Sequence, residues 1–205
     1  MSQRNDSTEL PLMEAFETIQ GEGFHTGTPA YFIRLGGCDV GCHWCDVKES
    51  WEAANHPNTS IDSICQEAVQ HNSRLAVITG GEPLMYDLST LTGRLKSDGF
   101  KLNIETSGAY PLSGDWDWIC FSPKKFKAPL DEFYEKSHEL KVVVYNKSDL
   151  EWAEGHRKRM NPDSLLFLQP EWSREKEILP LIVNYAKENP AWRISLQTHK
   201  YMGIP

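Results

Sequence analysis

The chain has 205 residues, of which 40% are hydrophobic and 24% charged, and 29 Asp and Glu against 21 Lys and Arg leave a net charge of −8. That length suits one domain with its own buried core, of ordinary globular composition. The acidic balance argues against a protein that tracks a nucleic-acid backbone or lies on anionic lipid, both of which reward a positive field. No apolar run approaches the ~20 residues that span a bilayer. The polar start, MSQRNDSTELP, lacks the apolar stretch of a secretory signal, so a cytoplasmic location is expected. Residues 1–9 read as a disordered or extended tail and 10–205 as a single domain.

In chain order, short apolar runs each end in a polar signature. Tyr31–Leu35 runs into GGCDVGCHWC. Thr59 and Asp62 resemble a capping box opening a helix to about His71. Leu75–Ile78 ends at TGGEP, and helical spacing follows over Asp87–Lys96. Leu102–Ile104 ends at ETSG, Trp118–Phe121 at SPKK, Leu140–Tyr145 at NKSD and Leu165–Leu168 at QPEW. Helical spacing covers Ser173–Lys187, where Pro180 should kink the helix or shift its start. Arg193–Leu196 ends at QTHK. Runs rich in Val, Ile, Leu and Phe that barely alternate predict strands buried on both faces, as in a parallel sheet. The fold expected is α/β, with ligands at the carboxyl ends of the strands. A full eight-unit barrel takes ~250 residues, so a partial, open TIM-like barrel of parallel strands fits this chain better.

Five cysteines, an odd number, with Cys38, Cys42 and Cys45 inside eight residues, point to metal or redox chemistry. Three thiolates are one short of a closed zinc site and of a fully protein-ligated cubane. A 4Fe-4S cluster on three cysteines leaves one iron open to a ligand. Zinc with His43, Asp46 or Cys65 as the fourth ligand is the alternative, and Cys65 and Cys120 otherwise read as buried free thiols. One β/α unit later comes Thr79-Gly80-Gly81-Glu82-Pro83, where glycines permit close backbone approach to a ligand and Glu82 can accept from an ammonium.

The cysteine loop followed by GGEP resembles the radical S-adenosylmethionine (SAM) superfamily. The resemblance implies a radical SAM core in which the amino and carboxylate groups of SAM chelate the open iron, Gly80, Gly81 and Glu82 hold the methionine amine, and reductive cleavage gives a 5′-deoxyadenosyl radical. QGEG at Gln20–Gly23, YFIRLGGC with Arg34, SPKK at Ser122–Lys125 and the closing QTHKYMGIP narrow the likeness, from Glu14 to Pro205, to the 7-carboxy-7-deazaguanine synthase family. That family is implied to contract the ring of 6-carboxy-5,6,7,8-tetrahydropterin with release of ammonia, in queuosine and 7-deazapurine biosynthesis. It is further implied to form homodimers and to draw electrons from a donor such as flavodoxin. Another small radical enzyme, such as an activase for a glycyl radical enzyme, would share the cysteine loop and GGEP, and a zinc-binding interaction module is a third reading.

The resemblance assigns residues. Cys38, Cys42 and Cys45 would hold the cluster. Gly81, Ser122, Pro123, Lys124, Gln169, Pro170, Glu171 and Trp172 would contact SAM, with Glu105 a further candidate. Ile19, Gln20, Gly21, Glu22, Arg34, Thr79, His199 and the terminal carboxylate of Pro205 would bind substrate, the guanidinium fork of Arg34 suiting a carboxylate. Taken singly, Arg34 also reads as an ion-pair partner, Glu22 as a solvated loop charge, His199 as a surface histidine, and Trp44 and Trp51 as packing residues. One position departs from the family. A threonine that helps hold Mg2+ is replaced here by Val47, which has no oxygen for a hard cation, so weak Mg2+ dependence is expected, with Asp46 or Ser50 nearby.

Overall fold

All seven apolar runs form strands, joined by two more that the sequence reading did not mark. The computed structural model describes residues 8–205; residues 1–7 of the expected tail lie outside the described residues. The strands are β1 (Glu9–Ile19), β2 (Pro29–Leu35), β3 (Asn58–Ser60), β4 (Leu75–Gly80), β5 (Lys101–Thr106), β6 (Trp118–Phe121), β7 (Glu139–Val144), β8 (Leu165–Pro170) and β9 (Trp192–Ile194). They form one sheet in the order β3-β1-β2-β4-β5-β6-β7-β8-β9. From β2 to β9 every pairing is parallel; β1 lies antiparallel to β2 and β3. The sheet is an open barrel, with β3 and β9 at its edges. Glu9 is already the first residue of β1.

The strands do alternate. Ile33 and Leu35, Ile78, Leu102 and Ile104, Phe121, and Leu140, Val142 and Val144 face outward into the main core. The residues between them face inward, where Leu75, Val77 and Ala30 pack with Phe32 in a small apolar cluster. Towards the strand ends the inward residues become Arg34, Thr79, Glu105, Lys141 and Gln169, which line a cavity.

The helices cover the outer face. α1 (Ile61–Ala68) is capped by Ser60, whose Oγ accepts from Ser63 N–H at 3.1 Å, one residue later than the expected box; Thr59 belongs to β3. Ile61, Ile64, Cys65 and Ala68 form its buried stripe, so Cys65 is a packing residue. α2 (Ser89–Ser97) buries Leu91 and Leu95, and each such side chain contributes about 1.5–3 kcal/mol. α3 (Glu132–Lys136) and α4 (Ser148–Arg157) were not anticipated. α5 (Glu175–Glu188) starts two residues later than expected and runs on through Pro180, burying Ile178 and Ile182. α6 (Thr198–Met202) ends at Gly203, whose φ of 65° is left-handed.

The β1–β2 connection carries QGEG and closes the barrel from the amino ends of the strands. Phe24 stacks on Trp118, the first residue of β6, at 4.4 Å between centroids. Gly23 N–H donates to Ser195 Oγ at 2.9 Å, and Thr198 N–H and Oγ1 both donate to Gly21 O at 3.0 Å. This loop thus joins the β1 side of the open barrel to the segment after β9.

Candidate active site

Beyond Leu35 the chain turns into the cysteine loop, whose base is fixed by its own backbone. Gly37 N–H donates to Ser50 O at 2.6 Å and Cys38 N–H to Trp51 O at 3.0 Å. The GGEP turn docks from the other side, with Gly81 N–H on Leu35 O at 3.0 Å and Glu82 N–H on Gly37 O at 2.9 Å. A Cβ on Gly80 would lie 2.1 Å from Leu35 O, and one on Gly81 2.2 Å from Gly37 O. Both glycines thus let the end of β4 and the GGEP turn press against the end of β2 and the start of the cysteine loop.

Cys38, Cys42 and Cys45 all line a cavity of about 380 Å³. Burial raises the Cys38 thiol and pushes Cys42 up to about 11. Their sulfurs are not gathered as one ion would gather them. Among the described residues, the group of three His, Cys, Asp or Glu whose ligating atoms all fall within 4.8 Å is Glu105, Cys120 and Glu139, not the triplet. A tetrahedral zinc with Zn–S of about 2.3 Å would hold sulfurs roughly 3.8 Å apart. Of the suggested fourth zinc ligands, two have other surroundings and the third is held by aromatic rings. His43 packs edge-on to Phe126 and Tyr145 at 5.5 and 5.3 Å, Asp46 pairs with Lys200, and Cys65 lies in the core. Three spread thiols suit a cluster with one open iron.

The residues expected to contact SAM divide. Glu82 is 2% exposed and its acceptor positions are taken: Oε1 by Thr106 Oγ1 at 2.7 Å and Leu84 N–H at 3.1 Å, Oε2 by Ser107 N–H at 2.8 Å and by Ser107 Oγ. It ties the turn after β4 to the end of β5, and these bonds occupy its acceptor positions. Glu171 likewise accepts from Ser173 N–H at 3.1 Å and Oγ at 2.6 Å. Ser122 accepts from the half-buried Lys124 through both its O and Oγ, at 2.5 and 2.7 Å. Gln169 Oε1 accepts from Ser195 Oγ at 2.7 Å. Pro170 and Trp172 line the same cavity, the indole lying under Lys200 Nζ at 5.0 Å. Pro123 instead lines a smaller neighbouring cavity with His43 and Tyr145. Trp44 and Trp51 face the main cavity rather than only packing.

The substrate-side residues come together. Ile19, Gln20, Gly21 and Glu22 form the floor. A Cβ on Gly21 would stand 2.3 Å from His199 Nδ1, so a glycine is needed for the histidine to sit there. Burial lowers the pKa of His199, against the raising effect of Glu22. Arg34 and Thr79 are register neighbours on β2 and β4. Arg34 Nε donates to Glu14 Oε1 at 2.6 Å, so the residue is both an ion-pair partner and a cavity residue. Pro205 O accepts from Thr18 Oγ1 at 3.2 Å. Glu105 stands with the floor: Lys141 Nζ donates to its Oε2 at 2.8 Å and Gln20 Nε2 to its Oε1 at 3.4 Å.

Sequence reasoning missed Lys141, Gln197 and Lys200. A lysine inside the apolar run LKVVV was the available signal for the first. The donors near Val47 do not fit Mg2+. Asp46 Oδ2 accepts from Lys200 Nζ at 2.7 Å and Gln197 Nε2 at 3.2 Å, and the fully buried Ser50 gives its hydroxyl to Val47 O at 2.7 Å.

No protein-family model matches the chain. Curated relatives do. It is 60% identical over 196 residues to a 7-carboxy-7-deazaguanine synthase of Flavobacterium psychrophilum, covering 96% of this chain and 93% of the relative. The synthase of Synechocystis is 47% identical over 198 residues (97% and 95%), and that of Escherichia coli 34% over 223 residues (96% and 99%). The crystal structure of QueE from Escherichia coli superposes with a TM-score of 0.83 at 30% identity, covering 94% of this chain and 96% of that one.

Proposed function

The chain belongs to the 7-carboxy-7-deazaguanine synthase family, and from that we propose how its cavity carries out the family's reaction. It is a radical SAM lyase that contracts the ring of 6-carboxy-5,6,7,8-tetrahydropterin to 7-carboxy-7-deazaguanine and releases ammonia. The activase reading finds no support in relatives that carry the synthase name at 34–60% identity. The observation that carries the assignment of roles is that one cavity joins a three-cysteine loop at the strand ends to a floor of amide and carboxylate groups.

Cys38, Cys42 and Cys45 would hold the 4Fe-4S cluster, and SAM would lie along the strand ends against Gly80, Gly81, Ser122, Lys124, Gln169, Pro170, Glu171 and Trp172. Together the two cofactors supply one-electron hydrogen-abstraction chemistry. The protein's part is to bind, orient and exclude water. Glu22 and Gln20 accept from and donate to the edge of the pterin, with Gly21 offering backbone groups. Arg34, steadied by Glu14, turns its remaining donors to the substrate carboxylate, beside Thr79. His199 and the carboxylate of Pro205, held by Thr18, close the same side. Glu82 acts on SAM by fixing the turn that carries Gly80 and Gly81.

Magnesium dependence is weak in this reading, since Val47 and the engaged Asp46 offer a poor set of ligands. The chain pairs as a homodimer, for which Tyr201 and Met202 supply exposed apolar surface. It receives electrons from a small carrier such as flavodoxin. Five free cysteines fit the reducing cytoplasm, and among the described residues no helix is long and apolar enough to cross a membrane.

Anaerobic reconstitution with iron, sulfide, reductant and SAM, followed by mass spectrometry of the carboxytetrahydropterin, tests both parts. Conversion is expected, changing less than about tenfold between EDTA and added magnesium, the equivalent of ~1.4 kcal/mol. An intact cluster without product would refute the assignment; complete loss in EDTA would refute the magnesium reading.

A further inference from the structure

β7 carries two charges on its inward face, Glu139 and Lys141, while Leu140, Val142 and Val144 pack outward. Glu105 on β5, Cys120 on β6 and Glu139 on β7 are direct register neighbours, with their polar atoms within 4.8 Å of one another. Two carboxylates in so buried a row require a cation. Lys141, 4% exposed, supplies it, with Nζ 2.8 Å from Glu105 Oε2 and 2.5 Å from Glu22 Oε2. Further donors serve the three carboxylates. Glu22 Oε1 accepts from Gln197 Nε2 at 2.8 Å, Glu105 Oε1 from Gln20 Nε2, and Glu139 Oε2 from Phe24 N–H and Trp118 Nε1 at 3.0 and 3.1 Å. A buried ion triad adds little stability over apolar residues of the same volume, so stability alone does not account for it.

We propose that Lys141 is a positioning residue that keeps Glu22 and Glu105 as a pair of ionised acceptors facing the cavity, and thereby selects a ring whose edge presents N–H donors, as the pterin does. This rests on the reading of the cavity as a pterin site. Burial raises the pKa of Glu22; the charge and hydrogen bond of Lys141, then Gln197 and His199, reverse this and bring it down to about 2. The charged and titratable groups around Glu22 are Lys141 and Glu139 from β7, Glu105 from β5, Cys120 from β6, Lys124 after β6, Asp46 from the cysteine loop, and His199 and Lys200 from α6. Lys200 is bonded to Asp46, which leaves Lys141 as the cation bonded to Glu22. Without it, a carboxyl takes up a proton and presents a donor where the ring also has donors.

The test is equilibrium dialysis of 6-carboxypterin, a redox-stable aromatic relative of the substrate, against reconstituted holoprotein with SAM between pH 5.5 and 7.5. Wild type should bind with a flat profile. Lys141→Met should bind about ten- to hundredfold more weakly at pH 5.5 and recover severalfold by pH 7.5. Wild-type affinity in the variant, or an equal loss at every pH, overturns the inference. Should Lys141→Met not fold, Lys141→Gln carries the same test, and if neither folds the residue is architectural and the inference fails. A wild-type protein that neither binds nor converts pterins would instead sink the functional reading.

Discussion

Glu82 tethers the GGEP turn to the end of β5. It takes donors from Thr106, Ser107 and Leu84 in a buried setting. Glu82→Gln puts an NH2 group against one of those donors and leaves it unpaired, at about 1–3 kcal/mol. Urea unfolding of the cluster-free protein should show that loss. An unchanged midpoint, with only SAM binding weakened, would return Glu82 to the role the sequence suggested. The sequence could name Glu82 and Glu171 as acceptors, because residue type decides that. Whether their lone pairs were already occupied depended on Ser107 and Ser173, which no motif marks. Lys141 shows the converse: a charge in an apolar run was visible, but its partners lie 119 and 36 residues away.

Among the elements, the parallel strands were legible because each is a short apolar run closed by polar residues. β1 was not, since Pro11, Glu14 and Glu17 break its apolar pattern and its partner β2 lies beyond a nine-residue loop. α4 was hidden too, because SDLEWAEGHR carries few apolar residues and buries Asp149 and His156 beside Leu150 and Ala153. His156 gives this element a pH signature. Its Nδ1 lies 2.7 Å from Tyr134 Oη, and burial, then Arg159, lowers its pKa to about 4. The unfolded histidine titrates near 6.5, so between those values the unfolded chain holds the extra proton. Stability is therefore complete above about pH 6.5 and falls as the pH drops towards 4, by on the order of 3 kcal/mol. Urea unfolding at pH 7 and pH 5 should show this fall, and His156→Gln should shrink it; an equal fall in the variant would assign it to other groups.

At the scale of the molecule, an open sheet is closed by a loop that enters from the amino ends and bonds to the chain after β9, so the cavity has protein on its floor as well as at its rim. The polar rim was legible from the strand ends. The floor was not, because it depends on the QGEG loop reaching Ser195 and Thr198 across the barrel. The base of the cysteine loop is likewise held by backbone bonds among Leu35, Gly37, Cys38, Ser50, Trp51, Gly81 and Glu82, none of which involves a thiol. Removing iron with a chelator should therefore leave the far-ultraviolet circular dichroism spectrum and a cooperative thermal transition in place. Collapse of both would mean that the metal, and not these bonds, shapes the loop. If the scaffold stands, exposure to air destroys an inorganic part and spares the polypeptide, so that a bleached molecule can be refilled instead of being degraded and made anew.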